Sequence, residues 1–290
     1  MKHIPLYDRT ISKKHDSLLE IKPISANNPF LKSPHLHRHS FYELIYIRSG
    51  NGSHIIDFKA YSLFKQQWFF ISPGQIHMLS GNNIDGTYLT FNESFIESLN
   101  PSLRLRTFPF FNGLQNNPCL PILSIKDIRH QIIDTYLLDQ AQTYYDQNSN
   151  NTPILHAILV YLLYYLQDIY LSRYSRAIKT VSNGHVDDFF CLLKRGPRLY
   201  RFVKEYAKQL NLSPHYLNSL IVQESGQSAK FWIQKELILV SKRYLAHTSS
   251  TVNQIALTLG FETSSQFSRF FLAHTNERPL EFRKHSNRLF

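Results

Sequence analysis

The chain has 290 residues, 43% of them apolar and 18% charged, a balance that excludes a disordered polypeptide and suits two globular domains. Its formal charge of +11 and pI of about 9.5 point to a polyanionic partner. Cys119 and Cys191 are far apart and show no metal-ligand spacing, which fits a reduced compartment.

The first residues, MKHIPLYDRT, lack the apolar stretch of a signal peptide. From about residue 20 to 125 the chain predicts short strands: Phe41–Arg48, His54–Phe58, Gln67–Ile71 and Thr87–Phe91. Gly50-Asn51-Gly52, Ser72-Pro73-Gly74 and Gly81-Asn82-Asn83 are the expected turns between them. Strands at this spacing suggest a barrel or sandwich. From 126 to 178 the pattern is helical, broken at Asn148–Asn151, with Pro153 suited to the first turn of the second helix. The most apolar stretch, Ile154–Leu171, contains His156, Gln167 and Asp168 and reads as a buried helix rather than a bilayer span. No membrane contact and a cytoplasmic location are therefore expected. Leu155, Leu159, Leu162, Leu166 and Ile169 advance in steps of four and three, a seam that would suit either a second subunit or an internal core.

Residues 183–290 carry 15 Lys+Arg against 8 Asp+Glu, which places the polyanion contact there. Two helix-turn-helix patterns occur in this part. In Leu199–Glu224, Phe202, Val203, Tyr206, Ala207 and Leu210 form one helical face. Ser213 is the expected N-cap and Pro214 the first residue of a second helix that buries Leu217, Leu220 and Ile221. In Thr251–His274, Val252, Ile255, Ala256 and Leu259 point inward, Gly260 ends the helix, and Thr263 caps the next, where Phe267, Phe270 and Phe271 are inward. His215, Asn218 and Ser219 on the first recognition helix, and Ser264, Ser265, Gln266 and Arg269 on the second, are the outward candidates for DNA contact. Arg pairs bidentately with guanine and Gln with adenine, and hydroxyls suit phosphates. A helix from about Ser228 to His247 joins the two units.

The stretches YAKQLNLSPHYLNSLIVQESGQSAKFWI and NQIALTLGFETSSQFSRFFLAHTNERPLEFR resemble the DNA-binding domain of AraC/XylS-type transcription regulators. The resemblance implies an α+β chain with a cupin-like N-terminal β-barrel that senses a ligand (1–125), a helical linker and dimerisation segment (126–182) and an all-α double helix-turn-helix domain (183–290). It implies double-stranded DNA, a small-molecule effector, a second copy of the chain and RNA polymerase as partners, and no catalysis. Two departures are local: Leu237 stands where the family usually has Arg, and Asn276-Glu277-Arg278 replaces Gly-x-Ser before Pro279.

His37-x-His39-x3-Glu43, followed by Pro73-Gly74-x2-His77, resembles the paired motifs of cupins. His37 and His39 share a strand face, and with Glu43 and His77 they could hold a divalent metal, the one cofactor these residues suggest. The same four residues, together with Tyr46 and Trp68, are the candidate effector pocket. Phe41 and Phe70 are further candidates for its walls, although core packing accounts for the aromatics equally well. A metal-dependent cupin enzyme and an architectural DNA binder with a degenerate sensor are the rival readings.

Overall fold

The computed structural model describes residues 6–7, 19–24, 31, 34–105, 108–111, 119–121, 136–147, 152–174, 184–194 and 201–289. It divides into two compact units, Pro5–Arg176 and Ala177–Phe290.

The first unit contains strands β1 (Leu6–Tyr7), β2 (Leu19–Ile24), β3 (Arg38–His39), β4 (Tyr42–Ile56), β5 (Lys59–Ser62), β6 (Gln67–Ile71), β7 (His77–Phe91) and β8 (Cys119–Pro121). Helix α1 (Glu93–Glu97) follows β7, and α2 (Leu138–Asp146) and α3 (Thr152–Tyr174) follow β8. Among the described residues the main sheet is antiparallel in the order β2-β7-β4-β6-β8, with β5 added to the end of β4, while β1 and β3 pair in parallel.

Two expected turns are not turns. Gly50-Asn51-Gly52 lies inside β4 and Gly81-Asn82-Asn83 inside β7, and these two 15-residue strands pair along their length. The register shifts between Ile47 and Ser49 and again between Ser49 and Asn51, the mark of a bulge. A Cβ on Gly52 would stand 2.1 Å from the Ser80 carbonyl oxygen, and one on Gly81 would stand 2.2 Å from that of Asn51. Glycine is used here because two backbones touch, not because the chain reverses. Ser72-Pro73-Gly74 does reverse the chain, with Gly74 at φ 77°.

Alternation along the strands gives the sheet two apolar faces. Tyr42, Leu44, Tyr46, Trp68, Phe70, Leu89 and Phe91 pack with Leu138, Ala141, Leu159, Leu162, Leu163, Leu166 and Tyr170 of α2 and α3. Ile45, Ile47, Ile56, Phe69, Ile71 and Ile84 form a second core.

Helix α3 is long and apolar enough to cross a membrane, but Leu159, Leu162, Leu163, Leu166 and Tyr170 are fully buried against the sheet. His156 is buried too, its Nε2 donating to the Ile96 carbonyl at 3.0 Å. The predicted seam Leu155-Leu159-Leu162-Leu166-Ile169 is therefore used inside the unit. A second seam, Ile154, Ala157, Tyr161, Tyr164 and Asp168, is the exposed one.

The second unit contains α4 (Gly184–Lys194), α5 (Val203–Gln209), α6 (Pro214–Ser225), α7 (Ala229–His247), α8 (Val252–Thr258), α9 (Ser264–Thr275) and α10 (Pro279–Leu289). Helix α4 buries Val186, Phe189, Phe190 and Leu193. Phe189 meets Tyr206 of α5 at 5.2 Å and Phe190 meets Trp232 of α7 at 5.4 Å, both edge-on. Helix α7 runs through the unit, with Ala229, Trp232, Ile233, Leu237 and Leu245 buried. The apolar Leu237 is thus a core residue here.

The two helix-turn-helix units repeat one design. Leu212 N–H donates to the Ala207 carbonyl at 2.9 Å, and Phe261 N–H donates to the Ala256 carbonyl at 2.8 Å. Each turn passes through the left-handed region, at Asn211 (φ 55°) and Gly260 (φ 77°). The recognition helices end alike, at Gly226 (φ 69°) and Asn276 (φ 58°). Asn tolerates that conformation, so the departure from Gly keeps the cap. Phe202 differs from expectation: it is the N-cap of α5 and is exposed, while Tyr206 and Ala207 carry the buried face.

Two arginines make long-range contacts within this unit. Arg201 donates to the Gly260 carbonyl at 3.2 Å and covers the Phe261 ring at 4.0 Å. Arg283 of α10 donates from Nε to Leu245 O at 2.9 Å and from an Nη to Ser250 O at 2.7 Å.

Candidate functional site

The first candidate surface is formed by α6 and α9. Ser213 Oγ accepts from Tyr216 N–H at 3.1 Å and Thr263 Oγ1 accepts from Gln266 N–H at 3.2 Å. Each hydroxyl satisfies a donor that the first turn leaves open. On α6, Leu217, Leu220 and Ile221 are buried, and His215, Tyr216, Ser219 and Val222 are exposed. On α9, Phe267 and Phe271 are buried and Phe270 is half-buried against Phe261, while Ser265 and Arg269 are exposed and Ser264 and Gln266 half-exposed.

Not every outward candidate is free to read a base. Asn218 is half-buried and its Oδ1 accepts from Ala229 N–H at 3.0 Å, so it anchors the start of α7. Gln266 donates to Oε2 of Glu262, the residue before the α9 cap, at 3.0 Å, and this bond is solvent-exposed. Ser219 Oγ donates to the Tyr216 carbonyl at 2.8 Å and keeps its acceptor lone pairs. Sequence reasoning overlooked Tyr216, which lies one residue off the Leu217-Leu220-Ile221 stripe and is half-exposed; helical spacing alone would have turned it outward.

The second candidate is the histidine cluster at one end of the sheet. His37 and His77 exchange backbone hydrogen bonds at 3.0 and 2.9 Å, which brings the segment around β3 onto the start of β7. The ligand atoms of His39, Glu43 and His77 lie within 4.8 Å of one another. Glu43 Oε2 is 3.3 Å from His39 Nε2 and 3.7 Å from His77 Nε2. His37 falls outside this group of three, though its ring centroid is 4.2 Å from that of His77; its Nδ1 meets the His35 carbonyl at 3.1 Å. Behind His77 stands His54, whose Nε2 is 3.1 Å from His77 Nδ1. Burial pushes the His77 pKa well below its ordinary value and that of His54 down to about 3. Both rings are neutral near pH 7.

Tyr46 and Trp68 do not join the cluster. Glu43 and Tyr46 are three residues apart on one strand and face opposite sides of the sheet. The Tyr46 ring lies 4.9 Å from that of Trp68, tilted by 36°, within the core facing α2 and α3, and Phe70 lies in the same core. Phe41 does belong near the histidines, its ring parallel to His39 at 4.1 Å.

Comparison with known proteins bears on both surfaces. Residues 23–132 match the family described as the AraC-like ligand binding domain, and residues 206–285 match a helix-turn-helix domain family. The transcriptional activator RhaR of Enterobacter sp. (strain 638) is 22% identical over 267 residues, covering 87% of this chain and 88% of that protein. The activator RhaS of the same strain is 24% identical over 280 residues, covering 90% and 94%. Among solved structures, ToxT from Vibrio cholerae O395 is 16% identical with a TM-score of 0.42, covering 92% of this chain and 96% of that one. The curated relatives are transcription regulators, not enzymes. With a ligand-binding β domain followed by paired helix-turn-helix units, the chain belongs to the AraC-type family of DNA-binding transcription regulators.

Proposed function

We propose that this regulator reads two adjacent major-groove segments of double-stranded DNA, through His215, Tyr216 and Ser219 on α6 and through Ser264, Ser265, Gln266 and Arg269 on α9. The observation that carries this reading is the pair of capped helices with exposed polar faces, joined by the single helix α7. At 1.5 Å per residue its 19 residues form a rod of about 28 Å, close to the roughly 34 Å between successive grooves on one side of a duplex. Arg269 reads a base and the hydroxyls hold phosphates. Footprinting on the chain's own promoter region is the test, with protection expected over two patches one helical turn apart. Arg269→Ala is expected to relax base preference at one position by about 1–3 kcal/mol. A uniform loss on all sequences would make Arg269 a phosphate contact, and absence of any sequence-preferring complex would remove the reading.

The finer calls on partners and place follow from the same reading. A small-molecule effector binds the β domain and changes how the helix-turn-helix units engage DNA and RNA polymerase in the cytoplasm. The chain acts as a homodimer through the exposed α3 seam Ile154-Ala157-Tyr161-Tyr164-Asp168, whose three-four spacing suits helix pairing. Sedimentation of Tyr161→Asp checks this, the variant being expected to run as a monomer where the parent runs as a dimer.

A further inference from the structure

Glu205 sets how the chain enters α5. Its Oε2 accepts from the N–H groups of both Arg201 and Phe202, at 3.0 and 2.9 Å, which fixes the backbone from which the Arg201 side chain departs. That side chain reaches the other helix-turn-helix module. Its Nη1 donates to the Gly260 carbonyl at 3.2 Å, and its guanidinium carbon lies 4.0 Å from the centre of the Phe261 ring and 5.3 Å from that of Phe202. A guanidinium can serve a ring and a carbonyl at once, because its face attracts the one while its edge donates to the other.

Gly260 and Phe261 form the turn that leads from α8 to the Thr263 cap of α9. Phe261 is buried, and its ring meets Phe267 and Phe270 of α9 at 5.4 and 5.3 Å. A displacement of this turn is therefore passed to the reading helix, since packed side chains transmit strain. Helices α5 and α6 of the first module and α8 and α9 of the second all pack on α7. A shared rod sets the distance between two bodies but leaves each free to rock about it. A contact outside the rod removes that freedom.

We propose that Arg201 is a positioning residue that braces the two modules against each other and fixes the phase in which α6 and α9 meet DNA; this rests on the two-groove reading above. The contact is solvent-exposed, so its contribution to overall stability is small. Its effect falls on joint engagement. Modules already held in phase lose less freedom when both bind, which raises the effective concentration of the second at its segment.

The first test is binding of the full-length chain to duplexes carrying both footprinted segments, one segment alone, or both with a few base pairs inserted between them. Arg201→Ala is expected to bind the two-segment duplex about 10-fold more weakly, to bind a single segment as the parent does, and to tolerate insertions that the parent rejects. An equal loss on every duplex, with a salt slope reduced by about 1, would make Arg201 a phosphate contact and overturn the brace. The second test uses no DNA. Spin labels are placed at Gln223→Cys on α6 and Ala273→Cys on α9, both exposed positions, in a chain carrying Cys119→Ser and Cys191→Ser. The distance distribution between them is expected to be about twofold broader in Arg201→Ala than with Arg201 present, and equal widths overturn the proposal. A parent that protects a single patch of DNA takes the two-groove reading and the brace down together. Two patches with the same spacing tolerance in parent and Arg201→Ala refute the brace alone.

Discussion

Replacing Arg283 by alanine removes the two hydrogen bonds that hold α10 to the last turn of α7 and to the loop leading into α8. The acceptors, Leu245 O and Ser250 O, are carbonyls that no helical N–H reaches. A hydrogen bond from a charged donor contributes about 1.5–3 kcal/mol when buried. The guanidinium is half-buried, so solvent screens part of that and water can replace it. About 2 kcal/mol in total is a reasonable loss, equivalent to a fall of about 10 °C in Tm for a unit of this size. Lysine keeps the charge but not the fork, so Arg283→Lys should recover less than half of the loss. Calorimetry of the full chain measures the shift, and footprinting shows whether protection by α9 weakens while that by α6 persists. If Arg283→Ala melted within about 1 °C of the parent and protected both patches equally, the clamp would have no energetic role.

Trp68→Ala should destabilise the β domain by about 3–5 kcal/mol, because the side chain is fully buried between the sheet and α3; equilibrium unfolding in urea checks it, and a ligand-affinity loss at unchanged stability would contradict the assignment to the core. Gly86→Ala should prevent stable folding of the same domain, since a Cβ there would stand 1.9 Å from the Tyr46 carbonyl; circular dichroism of the variant is the measurement. At the end of α9, Asn276→Gly should leave stability level or raise it by a few tenths of a kcal/mol, whereas Asn276→Ala should lower it by about 1 kcal/mol, because φ is 58°; thermal melts of the pair settle the sign.

The helix-turn-helix part of the fold was legible because its signals are local. Ser213, Thr263, Pro214 and Gly260 each mark a chain position by their own chemistry, and all four stand where expected. The sheet was less legible because the same letters carry two meanings. Gly52 and Gly81 could mark a turn or a place where two strands touch, and only pairing between distant segments decides. Tyr46 and Trp68 were grouped with Glu43 because all could line a cavity, but the register sends them to the other face. The stripe along α3 was correctly seen as apolar. Its partner stayed open between a second subunit and an internal core, since a helix apolar on most sides offers more than one seam. Asn218 looked outward by spacing, and the backbone N–H that claims it lies eleven residues on.

Carrying both reading modules on one unbroken helix makes α7 a ruler. Each residue inserted into it would advance the later module by 1.5 Å and swing it by about 100° around the rod, so its length cannot drift without both modules losing phase. On the two-groove reading proposed above, a promoter recognised by this protein keeps its two contacted segments at one fixed separation, and even a few base pairs added between them should abolish joint occupancy whatever the bases themselves.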